Sequence, residues 1–479
     1  MRYFCGECRK FMPTFVPGPT YREMFDPRDL PAQFQETAAK ALLDEFDAGN
    51  LFNITWRARS GPVRCEVLPK EITGVQANIL VLIGRNFPSG SHKVGPAYCT
   101  LMEGELAGEI APGEDTIIGP STGNFGIGTA YISRLKGYPA IVIIPDQMSA
   151  ERYQRIRQYG AELDLTRGSE SDVIVTLERT QEYKKNPRNK ILGQFELLPN
   201  YRFHRYVTGL SAIEAAREHG NGGIAAFVAA PGSAGTLGAG DEIKAAYPDA
   251  VVCVLEPKEC STLFDGGRGV HRIEGIGDKM VTLIHNLLTT DYVALVHDDD
   301  CLVGLELLEH RQVLLERTLG MSAGSLNRLR GLFGISTICN IIGAIRVARF
   351  LGLGPRDNVV TLATDGFDRY PSVLANLAER MGPAFAERPG DWFEKIFRGG
   401  HSEDILDVRP WEQKERLFAY KDQVWRGFGY SPAYLDSMKS QSFWDAEFDK
   451  IHLVDEQLLR ARAANLEPSP VGSPANNSA

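Results

Sequence analysis

The chain lacks any long apolar run. No segment approaches the roughly 20 apolar residues that a membrane-spanning helix needs. Met1-Arg2-Tyr3-Phe4-Cys5 has no apolar core of the kind found in a secretory leader. We therefore expect a cytoplasmic protein with no membrane partner. Positive charge is also in short supply, with 52 Lys and Arg against 61 Asp and Glu and a net charge of −9. That balance offers no basic footprint for nucleic acid, and short clusters such as Lys184-Lys185 read as solvated faces. Eight cysteines scattered through 479 residues make no disulfide framework. The one close pair is Cys5-Gly6-Glu7-Cys8. Two thiolates at this spacing supply half of a tetrahedral zinc site, but no second such pair completes it. A reduced terminus without metal is the expectation, and a redox dithiol is a third option. There is no internal repeat.

What is present is ordinary for a globular enzyme: 43% hydrophobic and 24% charged residues. The length is ample for two or more lobes. Apolar runs that read as buried strands are Asn78–Gly84, Thr116–Gly119, Ala140–Pro145, Asp172–Leu177, Gly223–Ala230, Ala250–Pro257 and Asn358–Thr364. Helical patterns fall between them at Gly126–Lys136, Ala150–Tyr159, Ser211–Glu218, Ala239–Ala246 and Ile341–Phe350. This alternation predicts an α/β fold with parallel sheets. Ligands in such folds bind beyond the carboxyl ends of the strands. Residues 1–55 read as an appended arm. From about Leu374 the character changes, and Trp392, Trp411, Trp425 and Trp444 sit among many charges. Pro410–Tyr420 and Glu447–Ala463 read as amphipathic helices of a C-terminal extension, and Glu467–Ala479 as a disordered tail.

Three turns carry chemistry. Asn86-Phe87-Pro88-Ser89-Gly90-Ser91-His92-Lys93 places a lysine just after a strand and beside a glycine-bearing turn. Lysines are normally solvated, but burial lowers the amine's pKa and frees it for a Schiff base. Ser121-Thr122-Gly123-Asn124-Phe125-Gly126 puts hydroxyls and an amide at a helix start, where backbone N–H groups suit a carboxylate. The same residues would also serve as a plain capping turn. Pro231-Gly232-Ser233-Ala234-Gly235-Thr236-Leu237-Gly238 follows a strand, and its small residues let backbone wrap a phosphate. A lone glycine-rich loop is weak evidence. This one has neither the Gly-Lys-Ser/Thr ending of a nucleoside-triphosphate loop nor the spacing of a dinucleotide fingerprint.

Together these segments resemble the fold-type II pyridoxal-phosphate (PLP) enzymes, of the tryptophan synthase β-like fold, and within them the cysteine synthase and cystathionine β-synthase branch. The likeness runs from roughly Gly61 to Ser372 and includes many ordered matches. Among them are Met148-Ser149-Ala150-Glu151-Arg152, Gly193-Gln194-Phe195-Glu196, Glu256-Pro257, His271-Arg272-Ile273-Glu274-Gly275-Ile276-Gly277, Gly334-Ile335-Ser336 and Asp365-Gly366 with Arg369-Tyr370. It implies two open parallel α/β lobes with the cofactor in the cleft between them. The catalytic core would occupy 56–372, with a smaller lobe of roughly 97–205 inserted in the larger. The arm (1–55), a helical extension (373–466) and the tail (467–479) would flank it.

The resemblance also implies roles. Lys93 would hold PLP as an internal aldimine and move the α-proton. Asn124 would bond the ring oxygen, and Gly232, Ser233, Ala234, Gly235 and Thr236 would hold the phosphate. Ser336 would face the pyridine nitrogen, where a neutral hydroxyl makes the ring a weaker electron sink. Ser121, Thr122, Gly123 and Gln194 would bind the substrate carboxylate. The implied reaction is β-replacement or β-elimination on an activated serine- or cysteine-type amino acid through an aminoacrylate. One alternative is a lyase or ammonia-lyase (desulfhydrase or dehydratase) that releases a 2-oxo acid. Another, of a different class, is a non-catalytic PLP-binding scaffold. A homodimer is expected, and no metal.

The chain departs from the family pattern in several places. Ala234 stands where the family has Gly, which is tolerable only if φ stays negative. Phe125 stands where it has Thr and is expected to reshape the substrate side. Val94-Gly95 replaces Asp-Arg, Thr337-Ile338 replaces Ser-Gly, and Val313–Arg330 reads as an added helix. His92 is expected to be a bystander in a neutral turn, His271 to fix a loop, and Asp298-Asp299-Asp300 to be a charged helix start rather than a cation site.

Overall fold

The structure is a computed structural model, and it describes residues 15–59, 61–382, 389–399 and 402–466. Cys5, Cys8 and the tail 467–479 lie outside the described residues. Among the described residues, eleven short strands form two sheets: β1 (Cys65–Val67), β2 (Asn78–Ile83), β3 (Thr116–Pro120), β4 (Ala140–Pro145), β5 (Glu162–Thr166), β6 (Asn189–Ile191), β7 (Ala226–Ala229), β8 (Val251–Pro257), β9 (Tyr292–Val296), β10 (Asn358–Ala363) and β11 (Ile405–Asp407). The larger sheet has the order β1-β2-β10-β7-β8-β9-β11 and the smaller the order β5-β4-β3-β6.

Every pairing is parallel except the two outermost of the larger sheet, β1 with β2 and β11 with β9. The inner strands are mainly apolar and buried, as strands covered on both faces must be. Ile79, Leu80, Val81 and Leu82 of β2 and Ala226, Phe227 and Val228 of β7 are fully buried. In β2, Leu80 and Leu82 belong to one apolar cluster while Ile79 and Val81 belong to another, as the period of two requires.

One predicted strand is wrong. Asp172–Leu177 is the start of the helix Val173–Lys184. Its buried residues Val173, Thr176, Leu177 and Thr180 recur at helical spacing, which outweighs the β-branched composition. The missed strands are mostly edges. β5 has polar Glu162 and Asp164 and little burial, and β1 and β11 are three residues each. The five predicted core helices are present, although the last is longer, at Ile335–Phe350. The insert Val313–Arg330 forms two short helices, Gln312–Leu319 and Ala323–Leu329.

Residues 15–64 and the helices after β11 pack on the core and on each other. Thr20 and Glu23 make a reciprocal capping box for Tyr21–Phe25. Glu23 also takes Arg462 of the helix Gln441–Leu466 in a buried ion pair at 2.7 Å. Trp425 of the helix Trp411–Gly427 is fully buried and donates to the Val281 carbonyl at 2.9 Å. Lys421, one turn earlier, is buried too and caps the carbonyls of Leu283 and His285 at 3.0 and 2.6 Å. Among the described residues, no helix is long and apolar enough to cross a membrane.

Candidate active site

The three chemical turns meet beyond the carboxyl ends of the parallel strands. Lys93 follows β2 and is the N-cap of the helix Val94–Leu106. The turn 231–236 follows β7, and Asn124 opens the helix Asn124–Lys136 after β3. Lys93 is 8% exposed, and its Nζ donates to Ser233 Oγ at 3.1 Å. The lysine therefore touches the glycine-rich turn directly. Burial drives its amine down to about 8, while the carboxylates of Asp278 and Glu170 pull the other way.

The turn itself is tightly cradled. A Cβ at Gly232 would meet the Gly275 carbonyl at 2.6 Å, and one at Gly235 would meet Asn200 Oδ1 at 2.1 Å. No side chain fits at either glycine, so backbone alone forms the wall of the turn there. Ser233 Oγ is also held by Asn200 Nδ2 at 3.0 Å, and the same nitrogen reaches the Gln194 carbonyl at 2.9 Å. Thr236 is buried where the turn enters the helix Gly238–Ala246. Ala234 overturns the expectation of negative φ. It sits at φ +66°, in the left-handed region, although it carries a methyl. The turn keeps the glycine conformation and accepts the steric cost.

Asn124 is held at both ends. Its Nδ2 donates to Asp365 at 2.6 Å, and its Oδ1 accepts from Arg369 Nε at 2.7 Å. Ser336 lies buried in the first turn of Ile335–Phe350. Ser121 Oγ accepts from the backbone N–H groups of Gly123 and Gly126 at 3.0 and 2.8 Å, so it does cap its own turn. Thr122 Oγ1 donates to Glu170. Gly123 backs onto Arg152, whose Nη1 would lie 2.4 Å from an added Cβ. Gln194 is buried, with Nε2 3.4 Å from the Pro120 carbonyl. Phe125 joins the main apolar core.

Several buried polar residues of this region escaped the motif reading. Asp278 has no partner for either carboxylate oxygen, and burial raises its pKa to about 8. Glu170 is raised to about 8 for the same reason, opposed by Arg152 and Thr122. Arg152 is fully buried, bonds the Thr122 carbonyl at 3.0 Å and the Tyr370 hydroxyl at 3.1 Å, and lies 3.0 Å from Glu274. A cavity of about 360 Å³ lined by Ser149, Glu170, His271 and Glu274 opens beside this cluster. Arg152 and Glu274 do fall within the ordered matches quoted above, whereas nothing in the local pattern around Asp278 or Glu170 marks either one.

His271 fixes its loop, with Nε2 2.8 Å from the Gly277 carbonyl and Nδ1 accepting from the Ile273 N–H. Asp298, Asp299 and Asp300 start the helix Asp298–His310, where Asp298 pairs with Arg272. His92 is fully buried, stacked on Trp56 and edge-on to His204, and burial pushes its imidazole well below its ordinary range, so it is neutral.

The residues present suit PLP. Lys93 offers a low-pKa amine, the 231–236 turn offers backbone with no room for side chains at Gly232 and Gly235, as a phosphate cradle needs, and Asp278 leaves buried polar atoms without protein partners. Comparisons with known proteins agree. Residues 64–365 match the family of pyridoxal-phosphate dependent enzymes. A cysteine synthase of Staphylococcus aureus is 33% identical over 297 residues, which is 62% of this chain and 88% of the relative. A probable cysteine synthase of Bacillus subtilis is 32% identical over 287 residues, covering 60% and 85%. A hydrogen sulfide-producing enzyme from Fusobacterium nucleatum, solved by crystallography, is 29% identical with a TM-score of 0.55, covering 70% of this chain and 93% of that one. A mutant of a hydrogen sulfide-producing enzyme, crystallised with an alpha-aminoacrylate intermediate, is 28% identical, also with a TM-score of 0.55 and covering 70% of this chain and 91% of that one. With that match spanning 64–365, the chain belongs to the pyridoxal-phosphate dependent enzymes and has the fold-type II architecture of the cysteine synthase-like group.

Proposed function

We propose that this enzyme carries out β-replacement or β-elimination on a serine- or cysteine-derived amino acid bearing a leaving group on its β-carbon. The observation that carries the reading is the 3.1 Å contact between Lys93 Nζ and Ser233 Oγ, which sets the amine against the phosphate turn. Lys93, Asn124, Ser336 and the backbone and hydroxyls of Gly232 to Thr236 would hold the cofactor. When bound, PLP supplies an electron sink that acidifies the α-proton of an attached amino acid. Lys93 takes that proton and later returns it, with an amine near 8 that is suited to both directions around neutral pH. Ser121, Thr122, Gly123 and Gln194 orient the substrate carboxylate. Arg152 holds the Thr122 carbonyl in place from behind.

Ser336 would offer the cofactor's ring nitrogen a hydroxyl and not a carboxylate. That arrangement suits a reaction in which the leaving group departs with its electron pair as the α-proton is removed. A thiol or other nucleophile then adds at the β-carbon. Without one, hydrolysis yields a 2-oxo acid and ammonia. A homodimer and a cytoplasmic location belong to the same proposal on the strength of the family likeness, and sedimentation as a monomer would refute the first.

The test is product analysis. The holoenzyme is given O-acetylserine, O-phosphoserine, serine and cysteine in turn, with and without sulfide or a thiol. A new amino acid formed only with the thiol establishes replacement, and pyruvate formed regardless establishes elimination. No turnover of any of the four, with PLP bound, sinks the proposal.

A further inference from the structure

Asn124 is the residue that this reading assigns to the cofactor ring oxygen, and an amide has two ends. An amide turned the wrong way would offer a carbonyl oxygen to an oxygen acceptor and repel it. The surroundings of Asn124 decide the matter. Arg369 approaches one end with Nε at 2.7 Å, and a guanidinium only donates, so that end is the oxygen. Asp365 approaches the other end at 2.6 Å, and a carboxylate accepts, so that end is the nitrogen. One N–H of the amide is left over.

The two residues that make this choice are themselves fixed. Arg369 is 2% exposed, and its Nη2 donates to the Ser89 carbonyl at 2.7 Å, inside the turn that leads to Lys93. Gly90 of that turn lies against the guanidinium so closely that a Cβ would meet Nη1 at 3.0 Å. Asp365 is fully buried, and the oxygen that accepts from Asn124 also accepts from Tyr370 at 2.8 Å. Tyr370 in turn accepts from Arg152 at 3.1 Å. The other oxygen of Asp365 has no partner and lies 1.9 Å from where a Cβ on Gly334 would stand, two residues before Ser336. The pair thus ties the lysine turn, the asparagine turn and the Ser336 helix start into one buried unit. A cation on the amide oxygen also draws electron density from the nitrogen, which makes the remaining N–H a stronger donor.

We propose that Arg369 and Asp365 are positioning residues that set the orientation and polarity of the Asn124 amide, so that its remaining N–H serves the cofactor ring oxygen. The inference rests on Lys93 and Asn124 being the cofactor residues. It adds that Asn124 works only as the middle of an Arg369–Asn124–Asp365 clamp.

The experiment is a double-mutant cycle on the PLP-loaded protein, with Asn124→Ala, Arg369→Gln, the combination, and Arg369→Lys. It is read by the visible absorbance of the bound cofactor and by PLP retention on dilution. The expected result is that Asn124→Ala and Arg369→Gln each shift the absorbance in the same direction and weaken retention about tenfold, as for the loss of one charge-assisted hydrogen bond. The combination then falls well short of the sum of the two, because Arg369 has no amide left to orient and loses only its bond to the Ser89 carbonyl. Arg369→Lys restores part of the wild-type spectrum. Effects that add in full, or a spectrum that Arg369→Gln leaves unmoved, overturn the clamp. Should Arg369→Gln not fold, as judged by circular dichroism, the cycle is run with Asp365→Asn under the same criteria. Lys93→Ala separates the two levels: if that variant still holds PLP covalently, the cofactor reading itself fails, whatever the cycle gives.

Discussion

Lys93 Nζ and Ser233 Oγ stand 3.1 Å apart although 140 residues separate them in sequence. The contact joins the turn after β2 to the turn after β7, two strands that flank β10 in the larger sheet. A buried amine depressed toward neutrality suits Schiff-base chemistry, and the first prediction follows from it. Lys93→Ala abolishes covalent PLP binding and lowers turnover by about a thousandfold or more, within the usual range for loss of a general base together with a nucleophile. Absorbance after gel filtration and steady-state rates check both.

The pH dependence of loading has a definite sign. The Lys93 amine is depressed to about 8, so the apo-protein holds it charged below that value and free above it. The rate of PLP capture therefore rises as pH is raised through about 8. Asp278 opposes the depression, since its carboxylate favours the ammonium. In Asp278→Asn the midpoint moves to lower pH. A midpoint that stays put or moves up contradicts this electrostatic account.

Much of this site was readable from the chain because turns at strand ends must use particular residues. Small residues at 232–236 and hydroxyls at 121–122 are there for backbone reasons that local sequence displays. The buried strands β2, β4, β7, β8 and β10 were legible for a similar reason, since covered faces leave no polar alternation. What stayed hidden depends on contacts distant in sequence. Asp278 and Glu170 are unremarkable acids until folding takes them out of water beside Lys93. Asp172–Leu177 shows the opposite failure, where β-branched residues suggested a strand and burial at helical spacing decided otherwise. Nothing near His92 in the chain announces Trp56 and His204 as its neighbours.

Ala234 offers a stability prediction. Its φ of +66° costs an L residue about 1 kcal/mol relative to glycine, net of the extra freedom glycine has when unfolded. Ala234→Gly should therefore raise the stability of the protein by up to about 1 kcal/mol while leaving PLP bound. Denaturant unfolding measures it, and a destabilised variant would mean that the methyl packs usefully enough to outweigh the strain.

The C-terminal helices supply the last prediction. Lys421 is buried with its amine pushed down to about 7, and it caps the carbonyls of Leu283 and His285. Its folded pKa lies below its unfolded value of about 10.4, so the unfolded chain binds the extra proton between those values. This group thus costs stability in full below about pH 7, and the cost is relieved as pH rises toward 10. Lys421→Met keeps the stem and removes the charge, so it flattens that part of the stability–pH curve. Trp425 and Trp444 on either side are fully buried, and truncating either to Ala should cost about 3–5 kcal/mol. The loss should reach the site as well, because Arg205 holds the Trp444 carbonyl at 3.1 Å and shares its helical segment with Asn200, which grips Ser233. Trp444→Ala is therefore expected to weaken PLP retention as well as to lower the unfolding midpoint. A lower midpoint with unchanged retention would show that the extension stabilises the fold without bracing the phosphate turn.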